Sequence, residues 1–348
     1  VSIQSHGSWT FGSPSVLMMF YRAPGELAQE LSEMDECMPH YYKVTQGHGL
    51  GAETIMRAEA AFMQARFTDA QIALESAYAQ IDGNGQENMA LCCDFLAYRL
   101  SLFSDVSPRY AAAERYKALL SRRDTAWIHL WNAINAYYYA VLGQAGKIPP
   151  VFSSHRLGTV NFLAPGKPMM EMIENQVCLA QGAYAAVIGR SERLLAMCDA
   201  MHYALTAMHI RIQTAAAFEM LGKREEAHAL LSHAFSDAEP DGFIIPFAEN
   251  YRYLKPLLGG IHEIAELGTM LERRRARADY PMAFSSLTPR EREIVSLISQ
   301  RLSNREIAER LYLSEGSVKQ YLNQLYAKLS IEGDTRTKRR RLSELAES

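Results

Sequence analysis

Apolar positions recur along this chain at spacings of three and four, with little period-two alternation, which predicts an all-α protein. The pattern is sharpest near the C-terminus. In "NREIAERL" the residues Ile307, Ala308 and Leu311 share one face, while Arg305, Glu309 and Arg310 lie outside. After the short elbow "YLS", Val318, Leu322, Leu325 and Leu329 form a stripe spaced 4, 3, 4. The opposite face shows Ser317, Lys319, Gln320, Asn323 and Lys328. Upstream, "LTPREREIVSLIS" turns Ile294, Leu297 and Ile298 inward. Start signals punctuate all three segments: Thr288 before Pro289, Ser303 with Glu306 as a capping box, and Ser314 with Glu315 against the helix dipole.

Three short capped helices on one small core match the helix-turn-helix plan, in which the last helix enters the major groove. Lys, Asn and Gln supply the donors and acceptors that base edges require. Any helical bundle also has a polar outer face, so spacing alone leaves open an ordinary bundle that touches only protein. Charge adds support: residues 285–348 hold twelve Lys and Arg against nine Asp and Glu, whereas the rest holds twenty-four against thirty. The final "GDTRTKRRRLSELAES" reads as a fourth helix, with Lys338 to Arg341 either solvated or anchoring phosphates.

Residues 1–275 read as degenerate helical repeats. "AEAAFMQARFTDAQIALESAYA" (58–79) places Ala65, Phe67, Ala70, Leu74 and Ala77 at tetratricopeptide-like spacing. "LAQGAYAAVIGRSERLL" echoes it with Gly182, Tyr184 and Val187. "LGKREEAHALLSHAFSDAEPDGF" does so with Gly222, Ala227, Leu231, Ala234 and a terminating Pro240. Stacked helix pairs of this kind build a superhelix whose concave face holds a peptide, a protein or a small effector. An irregular stretch, 146–168, interrupts the pattern, and residues 276–285 with Pro281 read as the linker to a domain at 286–348.

Composition narrows the class. A chain of 348 residues with 48% hydrophobic and 22% charged residues is an ordinary globular protein of about two domains. No apolar run is long enough to span a membrane, and the N-terminus lacks the pattern of a signal peptide, so a cytoplasmic location with no membrane partner is expected. Five scattered cysteines read as buried free thiols. "GQAGKI", "PGKP" and "LGKR" lack the hydroxyl of a phosphate-binding loop, and "GHGLGAE" reads as a turn before a helix. The histidine pairs His202/His209 and His228/His233 have no metal-site company and read as solvated or hydrogen-bonded. No cofactor, no metal and no catalytic activity are expected. If a small-molecule pocket exists, the aromatic run "WIHLWNAINAYYYA" is the place to seek it, at Trp127, Trp131, Tyr137 and Tyr138.

From Leu287 to Ile331 the segments "LTPRE", "NREIAERL", "LSEGSVK" and "YAKL" resemble, in order and spacing, the LuxR-type DNA-binding domain of bacterial transcription regulators. The resemblance implies double-stranded DNA as partner, contacted by Ser317, Lys319, Gln320 and Asn323, with Lys328 near the backbone. Asn304, Arg305 and Ser314, at the starts of the two helices, join that set. It further implies a homodimer on DNA, with Leu342 and Leu345 of the last helix facing the partner copy. Two positions depart from the family pattern. Arg301 stands where Gly is usual, which leaves the first helix without its left-handed cap. Tyr321 stands where His is usual, which bears on sequence preference.

Farther upstream, "GSWTFGSPSVLMMFYRAPGEL", "GHGLGAE" and "EPDGFIIPFAEN" resemble the helical region of MalT-like regulators. That resemblance implies an inducer or protein partner in the superhelix and an ATPase module upstream in a parent protein, of which a chain beginning at Val1 is the C-terminal part. Two readings follow: a transcription regulator whose helical domain receives a signal, or a scaffold or small-molecule-sensing adaptor without specific DNA binding.

Overall fold

The computed structural model describes residues 13–81, 86–104, 115, 118, 121, 125–155, 157–160, 164–278, 287–329, 331 and 333–347. They form an all-α fold, with no strand among the described residues. Two compact units divide between Glu272 and Arg273.

The first unit runs through α1 (Val16–Phe20), α2 (Leu27–Thr45), α3 (Ala52–Met63), α4 (Phe67–Ile81), α5 (Glu87–Phe103) and α6 (Thr125–Leu142). It continues with α7 (Pro150–Ser153), α8 (Lys167–Ala180), α9 (Tyr184–Met201), α10 (Ala204–Met220) and α11 (Arg224–Ala238). It ends with α12 (Ile245–Glu249), α13 (Tyr251–Leu258) and the greater part of α14 (His262–Ala278), a helix that crosses the division. α14 covers the start of the expected linker, and the rest of that linker, including Pro281, lies outside the described residues.

Successive helices pack as neighbours, α3 on α4, α8 on α9, α9 on α10 and α10 on α11, as short connections demand. The same turn recurs at each repeat. At Ala65, Gly182 and Gly222 the backbone is left-handed, with φ of 55°, 74° and 74°. Each of these residues donates its N–H to the carbonyl three residues back, and the next residue donates to the carbonyl five back. His202, with φ 56°, closes α9 the same way. This paired bonding satisfies the carbonyls that a helix leaves open at its C-terminus. The repeat positions behave as expected: Ala70, Leu74 and Ala77 of α4, Val187 of α9, and Ala227, Leu231 and Ala234 of α11 are all buried.

A charged group sits in this core. Arg99 of α5 donates to both oxygens of Glu249 on α12 at 2.9 Å, and the Tyr137 hydroxyl of α6 donates to the same carboxylate at 2.6 Å. The guanidinium lies 5.0 Å from the ring centre of Phe62 and 5.4 Å from those of Phe95 and Tyr137. Nearby, Glu59 accepts the Leu17 N–H at 2.7 Å, and burial pushes its carboxyl up to about 7.

Two expectations need correction. His209 is neither solvated nor hydrogen-bonded among the described residues: it is fully buried, and burial pushes it well below its ordinary value, so it stays neutral. Cys37 is exposed on α2, whereas Cys92, Cys93, Cys178 and Cys198 are buried thiols.

The second unit contains α15 (Pro289–Ser299), α16 (Asn304–Leu311), α17 (Glu315–Lys328) and α18 (Thr335–Glu347). Ile294, Ile298, Ile307, Val318, Leu322 and Leu325 meet in one core, as their spacing predicted. Leu342 of α18 belongs to that core and is fully buried, so it does not face a partner copy; the side chain of Leu345 lies outside the described residues. The left-handed cap of α15 does form, with Arg301 at φ 63°. Its N–H reaches Ile298 at 2.8 Å, and that of Leu302 reaches Leu297 at 3.2 Å. The demand of the exposed carbonyls outweighs the cost that a Cβ imposes there.

Replacing Glu249 with Gln leaves Arg99 buried without a counter-charge and is expected to destabilise the first unit by about 3–5 kcal/mol. Replacing Arg99 with Met and Glu249 with Gln together is expected to cost less than the two single changes summed. Denaturant titration of all four proteins reads the coupling.

In the second unit, Glu291, Glu306 and Asp334 are held below their ordinary values. For Glu291, desolvation pushes upward, but hydrogen bonds from Lys328 and Thr288 prevail; backbone N–H groups of Ser303 and Thr337 act on the other two. Depressed carboxylates bind fewer protons folded than unfolded. Their contribution is therefore complete above the ordinary values of 4.5 and 3.8 and is lost as pH falls through the lowered ones. The urea-unfolding midpoint of the second unit is expected to fall as pH drops through that window. Glu291→Gln, costing about 1 kcal/mol at neutral pH through its cap, should flatten the dependence.

Candidate nucleic-acid interface

Caps set where each helix of the second unit begins. The Thr288 hydroxyl accepts the Glu291 N–H at 3.3 Å, and the Glu291 carboxylate accepts the Thr288 N–H at 2.7 Å. Ser303 and Glu306 repeat the arrangement at 3.3 and 2.7 Å. Ser314 accepts the Ser317 N–H at 3.0 Å, so α17 starts one residue after the elbow. The elbow turns on Tyr312, left-handed at φ 53°, with the Leu313 N–H reaching back to Ala308 at 2.9 Å.

Three polar clamps then brace the helix-turn-helix, one on α17 itself and two on α16 and its ends. The Lys328 ammonium donates to both Glu291 oxygens, at 2.8 and 2.9 Å, tying the end of α17 to the start of α15. Arg290 donates to the Leu311 carbonyl at 2.6 Å and holds the elbow from the α15 side. Arg339 of α18 donates to Asn304 Oδ1 at 2.5 Å and to the Leu302 carbonyl, bracing the start of α16.

What the clamps leave free is a stripe along α17. Val318, Leu322, Leu325 and Tyr326 face the core, whereas Lys319, Gln320 and Asn323 are exposed and have no partner among the described residues. Gln324, one position further, is exposed beside them and escaped the reading of the sequence, although its place four residues after Gln320 was the signal. Ser317 is half-buried and shares a hydrogen bond with the Ser314 hydroxyl at 2.9 Å. Tyr321 is half-buried against the core, so its ring supports the helix. Among the other sequence candidates, Lys328 and Asn304 are engaged by Glu291 and Arg339, and Arg305 is exposed and paired with Glu309 at 3.1 Å. Lys328 and Asn304 thus join helices to one another, whereas the Arg305 pair stays within α16.

The aromatic run behaves differently from a pocket wall. Tyr137 is fully buried on Glu249 and Trp131 nearly so; both are core. Trp127 and Tyr138 are half-buried, and Tyr138 packs edge-on against Tyr98 with ring centres 5.0 Å apart. A cleft of about 690 Å³ opens elsewhere in the first unit, between α8 and α9. Arg190 and Arg193 of α9 pair there with Glu174 and Glu171 of α8. The matched i, i+3 spacing of two acids and two bases was its trace in the sequence.

The bacterial regulatory proteins of the LuxR family, represented by GerE, match residues 285–338. Over 66 residues, 19% of this chain, it is 38% identical to the DNA-binding transcriptional activator DevR/DosR of Mycobacterium tuberculosis, spanning 30% of that protein. Over 55 residues, 16% of this chain, it is 38% identical to the transcriptional regulatory protein LnrK of Bacillus subtilis, spanning 25% of it. A Mycobacterium bovis protein named as an HTH-type transcriptional regulator is 48% identical over 48 residues, which are 14% of this chain and 5% of that one. The chain thus spans less than a third of each of these relatives. No solved structure matches it. The matched segment begins just before the Thr288 cap and ends inside α18, and it contains the elbow and the whole exposed stripe of α17. The C-terminal part of this chain is a LuxR-family helix-turn-helix domain, homologous to those of bacterial transcriptional regulators.

Proposed function

We propose that this chain is the DNA-reading part of a bacterial transcription regulator, with α17 as the recognition helix and Lys319, Gln320 and Asn323 as its base contacts. The observation that carries this reading is their lack of internal partners on a helix whose N-cap, preceding elbow and C-terminal end are each held in place. Lys donates to guanine O6 and N7, and Asn or Gln pairs with adenine N6 and N7. Ser317 and Ser314, at the N-terminal end of the same helix, reach the groove edge, where Ser contacts either base or phosphate. A rigid helix loses little on binding, so its contacts go into affinity and discrimination.

The first unit, in this reading, receives the signal. Its paired helices suit a peptide, a protein partner or a small inducer, and the cleft lined by His155, Lys167, Glu171, Glu174, Arg190 and Arg193 is a better place for one than the aromatic run. The effector, or an ATPase module upstream in a parent protein, shifts the balance toward a DNA-competent homodimer. The rival reading, a scaffold whose last domain touches only protein, shares the helical architecture and differs in its use of α17.

Lys319→Ala and Asn323→Ala are each expected to weaken binding of the whole chain to a duplex selected from a random pool by about 10- to 100-fold, as lost base contacts do. Helix content and unfolding should stay unchanged, because both side chains are solvent-exposed. Fluorescence anisotropy across a salt series separates base reading from attraction to phosphate. Undiminished binding by both variants would favour the scaffold.

A further inference from the structure

Arg301 occupies a backbone position that suits it poorly. At φ 63° a Cβ crowds the following carbonyl, and glycine takes that conformation freely. The side chain gains nothing visible in exchange within the protein: it is exposed, with no hydrogen bond or ion pair among the described residues. A strained position that holds a long, unpaired cation invites a search for what the cation meets.

Its surroundings are those of an anion site. Arg301 precedes the Ser303 cap of α16 by two residues, so its backbone adjoins the end of the helix where N–H groups and the dipole favour negative charge. Arg339 is anchored at the same end, on the Leu302 carbonyl and Asn304. Arg305 lies one turn on, paired with Glu309. The carboxylate at this end, Glu306, is bound back onto the Ser303 N–H at 2.7 Å. Cationic arms therefore outnumber carboxylates there. In a helix-turn-helix the first helix crosses the sugar-phosphate backbone while the second lies in the groove, and α16 is that first helix.

We propose that Arg301 is a phosphate anchor: when α17 lies in the major groove, its guanidinium pairs with a backbone phosphate beside the start of α16. The proposal rests on α17 being the recognition helix. The residue gives up backbone ease at the α15 cap and gains a charge-assisted bond on DNA. Such a contact adds affinity on every sequence and carries no base preference.

The test uses the whole chain, on a selected duplex and on a random one, by anisotropy between 50 and 200 mM salt. Arg301→Gln removes the charge and keeps the Cβ; Arg301→Gly removes both; Arg301→Lys keeps the charge. With Gln or Gly, binding should weaken on both duplexes alike, and the slope of log affinity against log salt should fall by about 0.9. That makes the loss of affinity over this salt range about threefold smaller than in the parent. Lys should retain the parent slope. Arg301→Gly should also raise the unfolding midpoint of the second unit by roughly 4 °C, so that weaker binding accompanies greater stability. An unchanged slope in both Gln and Gly, with Lys319→Ala still weakening the selected duplex, would overturn the anchor and leave the recognition helix standing. If Lys319→Ala is also without effect, the reading of α17 itself fails.

Discussion

Six helix ends among the described residues close on one left-handed residue, and the packing of those pairs depends on that turn. Ala65, Gly182, His202 and Gly222 in the first unit and Arg301 and Tyr312 in the second adopt the same backbone conformation. Each satisfies carbonyls that the ending helix would otherwise leave open, and each sends the chain back so that the next helix lies against the last. The turn is obligatory and the residue is negotiable. Two of these six positions are glycine; the others accept the strain of a Cβ because the hydrogen bonds and the packing behind them are worth more.

The two units treat charge in opposite ways. In the first, charges are turned inward and paired: Arg99 with Glu249 in the core, and Arg190 and Arg193 with Glu174 and Glu171 along the cleft. A buried pair of this kind adds little net stability against an apolar filling, yet losing either half is costly, so it holds three distant helices in one arrangement. In the second unit polar groups are spent on helix ends and on clamps. Lys328 ties α17 to α15, Arg290 and Arg339 brace α16, and Lys319, Gln320 and Asn323 are left without a partner among the described residues.

Much of this was legible from residue order. Capping boxes at Thr288 and Ser303 and the cap at Ser314 were visible because they are local: the donor and acceptor lie within four residues. The buried stripe of α17 and the repeat positions Ala70, Leu74, Ala227 and Leu231 were visible because helical period alone assigns a face. That Lys328 and Asn304 have partners within the fold was not legible, for the opposite reason. Their neighbours Glu291 and Arg339 lie 37 and 35 residues away, and nothing local marks them as engaged. Leu342 likewise presents one more apolar residue on an amphipathic helix, and whether it meets its own core or a second copy depends on how that helix docks.

The sequence by itself determined the helices of the second unit, their starts and the faces they bury, since these follow from interactions between residues a turn or two apart. Only the tertiary structure decided which polar side chains are left over. Arg99 could have been a surface charge, Tyr137 a pocket wall and Lys328 an unpaired cation, until helices distant in sequence brought Glu249 and Glu291 within 3 Å of them. A charge is available to a partner only if the fold does not consume it, and that balance is struck by contacts across the chain, where no local pattern reaches.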